Sequence, residues 1–73
     1  MGTAFLGDIA RIESYIVESP GLYQAVDGEI RRAPLRRFPF GLFYVEETDG
    51  IVVLACLDLR RNPREIAATL SRR

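Results

Sequence analysis

Ile30-Arg31-Arg32-Ala33-Pro34-Leu35-Arg36-Arg37-Phe38-Pro39 runs straight into Phe40-Gly41-Leu42-Phe43-Tyr44. The architecture of the chain turns on how this passage is laid out. A strand puts alternate residues on opposite faces. In a strand here, one face carries Ile30, Arg32, Pro34 and Arg36, and the other Arg31, Ala33, Leu35 and Arg37. Neither face is purely apolar. The passage therefore reads as a strand from about Glu29 to Leu35 that presents arginine, with Pro34 marking an edge or a bulge because it has no N–H for the ladder.

Downstream, Arg36 to Pro39 is a connection and Phe40 to Glu47 a second strand. Thr48-Asp49-Gly50 is a hairpin turn. Ile51 to Leu59 is a third strand, and its run Ile51-Val52-Val53-Leu54-Ala55-Cys56-Leu57 is apolar on both faces, so it is expected to be the most buried. Arg60-Arg61-Asn62 is a polar break with Asn62 as N-cap and Pro63 at the first helical position. Arg64 to Ser71 is a short helix with Ile66 and Leu70 on one side and Arg72 and Arg73 suited to the negative end of its dipole.

Upstream, Thr3 to Ser19 reads as an amphipathic helix. Phe5, Ile9, Ile12 and Ile16 form its apolar stripe, widened by Leu6 and Val17, with Asp8, Arg11, Glu13 and Ser14 mostly elsewhere. Thr3 is the expected N-cap and Pro20-Gly21 the stop. Leu22 to Val26 is a short apolar connector, and Asp27-Gly28 a turn. The expected fold is an α+β domain: an amphipathic N-terminal helix, a three-stranded antiparallel sheet and a short C-terminal helix.

Seventy-three residues make a single domain. With no histidine and one cysteine, Cys56, the chain has no internal disulfide, no zinc cluster of the usual kinds and no Ser-His or Cys-His nucleophile system. No metal and no cofactor are expected. The formal net charge is zero, and all ten basic residues are arginine, the residue best suited to bidentate contact with phosphate or carboxylate. No apolar run approaches the roughly 20 residues that span a bilayer. There is no basic segment followed by an apolar one, so a signal peptide is not expected and a cytoplasmic location is.

Five pieces occur in an order that resembles the RelE/ParE family, toxins of type II toxin-antitoxin modules associated with plasmid stabilisation. They are Ile30-Arg31-Arg32-Ala33, Arg37-Phe38-Pro39-Phe40, Phe43-Tyr44, Val52-Val53-Leu54-Ala55 and Arg60-Arg61-Asn62-Pro63, preceded by a helix ending in Glu18-Ser19-Pro20. The resemblance implies an antiparallel sheet with a helical hairpin before it and a short helix after it. It also implies a toxin held inactive by a cognate antitoxin. ParE-like members inhibit DNA gyrase by binding it; RelE-like members cleave messenger RNA on the ribosome.

The chain departs from that pattern in three places. It starts at the family's second helix, so the first strand and helix have no counterpart. An uncovered sheet edge or helix face, and a homodimer formed through it, are expected. Where RelE-like nucleases carry an arginine opening the strand that ends in tyrosine, this chain has Gly41. Where related sequences often have histidine, it has Asp58.

For RNA cleavage, the candidate residues are Arg32, Arg37 and Arg61 as cations and Tyr44 as proton donor, but arginine is a poor proton shuttle. Tyr44 also reads as a core-edge aromatic. For protein binding, Arg31, Arg32, Arg60 and Arg61 form a patch if the first and third strands lie close. The alternative is that they pair with Glu29, Glu46, Glu47 and Asp58 and only solvate the surface. Cys56 reads as a structural thiol, and Phe38, Phe40 and Phe43 as core. The favoured reading is a ParE-like toxin acting by protein binding on gyrase. The alternatives are a RelE-like messenger-RNA endonuclease and a non-toxic remnant that binds only antitoxin.

Overall fold

The computed structural model describes residues 2–71. Helix α1 spans Gly2–Glu18 and ends in a 3-10 turn at Pro20–Leu22. Strands β1 (Ala25–Asp27), β2 (Ile30–Pro34), β3 (Phe40–Glu47) and β4 (Gly50–Asp58) follow, then helix α2 (Pro63–Ser71). The strands form one antiparallel meander in the order β1-β2-β3-β4. This is an α+β fold with a helix at each end, as expected.

Several expectations are corrected. The sheet has four strands rather than three, because the apolar connector before Asp27 pairs with β2 as β1. Three residues are too short for an alternating pattern to show, and all three are exposed. The hairpin between β1 and β2 is closed by a two-residue loop with Gly28 at φ +59°, a left-handed position suited to glycine. Helix α1 is already running at Gly2, so Thr3 lies in its first turn and is not the N-cap. Arg72 and Arg73, expected at the end of α2, lie outside the described residues.

The third correction concerns burial. β4 was expected to be the most buried strand, yet it is an edge strand with Val52 and Val53 about two-fifths exposed. β3 takes that place, with Gly41 to Val45 buried without a break. Apolar residues on both faces of a strand do not bury it if one of its hydrogen-bonding sides has no neighbour. A bulge opposite Phe43 and Tyr44 also interrupts the β3–β4 register, inserting Leu54 between Val53 and Ala55.

Each face of the sheet has its own cluster. Ile12 and Ile16 of α1 pack on Ala33, Leu35, Leu42 and Tyr44, with Phe5 meeting Phe38 and Phe40 edge-to-face at centroid distances of 5.2 and 5.6 Å. Leu70 of α2 packs on Ile30, Phe43 and Val45 on the opposite face, with Ile66, Leu57 and Leu59 beside them. The strict alternation along β3 sends Leu42 and Tyr44 one way and Phe43 and Val45 the other. Phe38, Phe40 and Phe43 therefore all pack against the core, as expected, but Phe43 is fully buried in one cluster while Phe38 and Phe40 are partly buried against the other. Pro34 sits beyond the last pairing of β2 with β1, where the missing N–H leaves no ladder bond unmade.

Candidate functional site

β2 and β4 do not lie side by side; β3 separates them. Two arginines meet nonetheless. Arg32 lies on the α2 face of β2, opposite Phe43. Arg61 follows β4 in a turn braced by its own N–H donating to the Asp58 carbonyl (3.2 Å). The next residue, Asn62, caps α2 as expected, its Oδ1 accepting from the Arg64 N–H at 2.8 Å, with Pro63 opening the helix. Gly41 sets the course of the Arg32 side chain. A Cβ there would lie 3.0 Å from Leu59 Cδ2 and 3.3 Å from Arg32 Cγ. With only hydrogen at that point, the stem of Arg32 and the Leu59 side chain close over β3.

Arg32 and Arg61 line one cavity of about 480 Å³ between α2 and the β1–β2 side of the sheet. Phe43, Ile66 and Leu70 form its apolar wall, and Asp27 stands at its far end. Among the described residues neither arginine makes an ion pair. Asp27 and Leu70 also line a second cavity, about 660 Å³, rimmed by Glu29, Glu46 and Glu47. The two cavities form one trough along α2, basic at the helix's N-terminal end and acidic at its C-terminal end.

The remaining candidates are elsewhere. Arg31 is on the α1 face, where its Nη1 donates to the Tyr23 carbonyl at 2.6 Å. Tyr44, also on that face, is fully buried and donates its hydroxyl to the Pro20 carbonyl at 2.8 Å. Burial pushes its pKa up, against a weaker downward pull from Arg31. Tyr44 is a structural tie, separated from Arg32 and Arg61 by the sheet. Arg60 grips Asp58 through Nε (3.0 Å) and Nη2 (2.8 Å), and those hydrogen bonds bring the Asp58 carboxyl down to about 2. Of the four expected acidic partners, only Asp58 engages an arginine among the described residues. Arg37 lies in the β2–β3 loop and does not line the trough. Cys56 is half-buried and burial raises its pKa, in keeping with a structural thiol.

The four-arginine patch expected from the sequence thus divides. Arg32 and Arg61 share the trough, Arg31 braces the 23–31 region, and Arg60 is neutralised. Asp8 was missed altogether. Although read as lying off the apolar stripe, it is 1 % exposed, and its Oδ2 accepts the backbone N–H groups of Arg36 (3.1 Å) and Arg37 (2.8 Å). Its spacing of three from Phe5 and four to Ile12 places it on the buried stripe, and that was the available signal. Among the described residues no group of histidine, cysteine, aspartate or glutamate could hold a metal ion, and no helix is long and apolar enough to cross a membrane. Set against known proteins, the chain matches no family model, no curated protein and no solved structure.

Proposed function

We propose that this chain is a ParE-like member of the RelE/ParE toxins, one that acts by binding other proteins: a cognate antitoxin that silences it and, when released, gyrase. The observation that carries the reading is the pair Arg32 and Arg61, lining one cavity beside an apolar wall with no ion-pair partner among the described residues. Two guanidinium groups beside apolar surface suit a carboxylate-bearing amphipathic segment. They suit RNA cleavage less well. In-line attack on phosphate needs groups that move protons as well as cations. Tyr44, the candidate donor, is on the far side of the sheet with its proton committed to Pro20. Among the described residues Asp27 is the only other titratable group lining the cavity.

Growth on induction of this chain, compared with an Arg32→Ala plus Arg61→Ala variant at equal soluble level, tests the proposal. Arrest with the parent chain, relieved in the variant and without cleaved transcripts, is the expected result. Arrest accompanied by transcript cleavage would move the protein to the RelE-like class. Normal growth with soluble parent protein would remove the toxin reading and leave an antitoxin-binding remnant.

A further inference from the structure

The trough beside α2 is charge-ordered, and the order specifies its occupant. At the helix's N-terminal end stand Arg32 and Arg61; at its C-terminal end stand Glu29, Glu46 and Glu47; Phe43 and Leu70 lie between. The α2 dipole adds to both ends, since a helix N-terminus favours an anion and a C-terminus a cation. The sheet's turns follow the same polarity. The β1–β2 and β3–β4 turns, with Asp27, Glu29, Glu47 and Asp49, are at one end, and the β2–β3 connection and the β4–α2 turn, with Arg36, Arg37 and Arg61, are at the other. The formal net charge of zero therefore conceals two separated poles.

We propose that the trough takes an amphipathic segment of a second protein whose charges run in the opposite order. An acidic residue is held by Arg32 and Arg61, apolar side chains cover Phe43 and Leu70, and a basic residue sits by Glu29 and Glu47. The nine residues of α2 set the length at about 12 Å, two turns of helix or four extended residues. This inference rests on the trough being the partner site and deepens that reading. It makes the partner's match one of charge order as well as charge sign, so that a uniformly acidic segment is repelled at one end and a uniformly basic one at the other.

Three fluorescein-labelled peptides with one shared Leu-Ile-Leu centre test the proposal by fluorescence anisotropy against the whole chain. Their flanks are acidic and basic, acidic on both sides, or basic on both sides. The mixed peptide is expected to bind about tenfold tighter than either uniform one at low salt, with the gap closing as salt rises. Glu29→Gln plus Glu47→Gln, both at exposed positions, is expected to make the uniformly acidic peptide the equal of the mixed one. Arg32→Glu plus Arg61→Glu, checked for fold by circular dichroism, is expected to turn the preference to the uniformly basic peptide. Equal binding of all three, preference of the parent chain for a uniform peptide, or no binding of any would overturn the proposal. The assay has no growth readout, so loss of the toxin reading leaves this result standing, and failure here leaves growth arrest to be explained by another surface.

Discussion

The two faces of the sheet treat polar groups in opposite ways. On the α1 face Asp8 and Tyr44 are buried and each has its partners: two backbone N–H groups and the Arg11 guanidinium for the carboxylate, one carbonyl for the hydroxyl. Among the described residues no buried side-chain polar atom lacks a hydrogen bond. On the α2 face Arg32 and Arg61 flank an apolar wall with no ion-pair partner among the described residues. The first arrangement spends its polar groups on holding the chain together. The second leaves its charges available to something outside. A tyrosine or an aspartate on the closed face is thus a poor candidate for chemistry, however suggestive its residue type.

That contrast can be broken by substitutions on the closed face first. Asp8→Ala removes the acceptor that ties the 36–37 backbone to α1, and is expected to cost about 2 kcal/mol. Urea unfolding measures it; a cost within experimental error would mean that the loop does not depend on α1. Tyr44→Phe keeps the ring and loses one hydrogen bond, for about 1 kcal/mol. It is expected to leave partner binding and any growth phenotype as they were. A binding defect at full stability would return Tyr44 to the functional site.

The open face should show the reverse pattern. Gly41→Ala brings a methyl against the end of the Leu59 side chain and the stem of Arg32, so its stability cost is expected at about 1 kcal/mol, the low end for overpacking. The displaced Arg32 should nevertheless weaken peptide capture in the trough. Unfolding curves and anisotropy on one preparation separate the two effects, and unchanged capture would detach Arg32 from Gly41. The smallest effect belongs to the exposed Arg60–Asp58 pair. Its carboxyl titrates at about 2 against an ordinary 3.8, so the pair's contribution to stability is present above the ordinary value and is lost as pH falls through about 2. Carbon-detected NMR of Asp58 should show that low midpoint, and Arg60→Ala should raise it part of the way toward the usual carboxylate range, since the backbone N–H of residue 60 still donates to Asp58. A midpoint that ignores Arg60 would mean that the pair is not formed in solution.

The elements were legible where periodicity and punctuation agreed. Pro20-Gly21 closes α1, Thr48-Asp49-Gly50 turns β3 into β4, and Asn62-Pro63 opens α2. β1 was not, because three exposed residues carry no alternation. The burial of β4 was misjudged because hydrophobicity along a strand is a local property and neighbourhood in a sheet is not. For the candidate site, Arg32 and Arg61 were both named from residue type alone. Nothing in their sequence separation of 29 could say that they share a cavity while Arg31 and Arg60, one residue away from each, do not. Gly41 stood out only as an absence of arginine. Its contact with Arg32 and Leu59 gives that absence a physical role.

By itself the sequence determined the two helices and three of the four strands in their order, that the chain's cations are all guanidinium groups, and that histidine-dependent chemistry has no place in it. These follow from composition and from side-chain spacing along the chain. Only the tertiary structure decided which arginines are available. Strand alternation puts Arg31 and Arg32 on opposite faces. The missing side chain at Gly41 lets Arg32 reach across β3, and the turn after β4 turns Arg60 back onto Asp58 while Arg61 lines the trough.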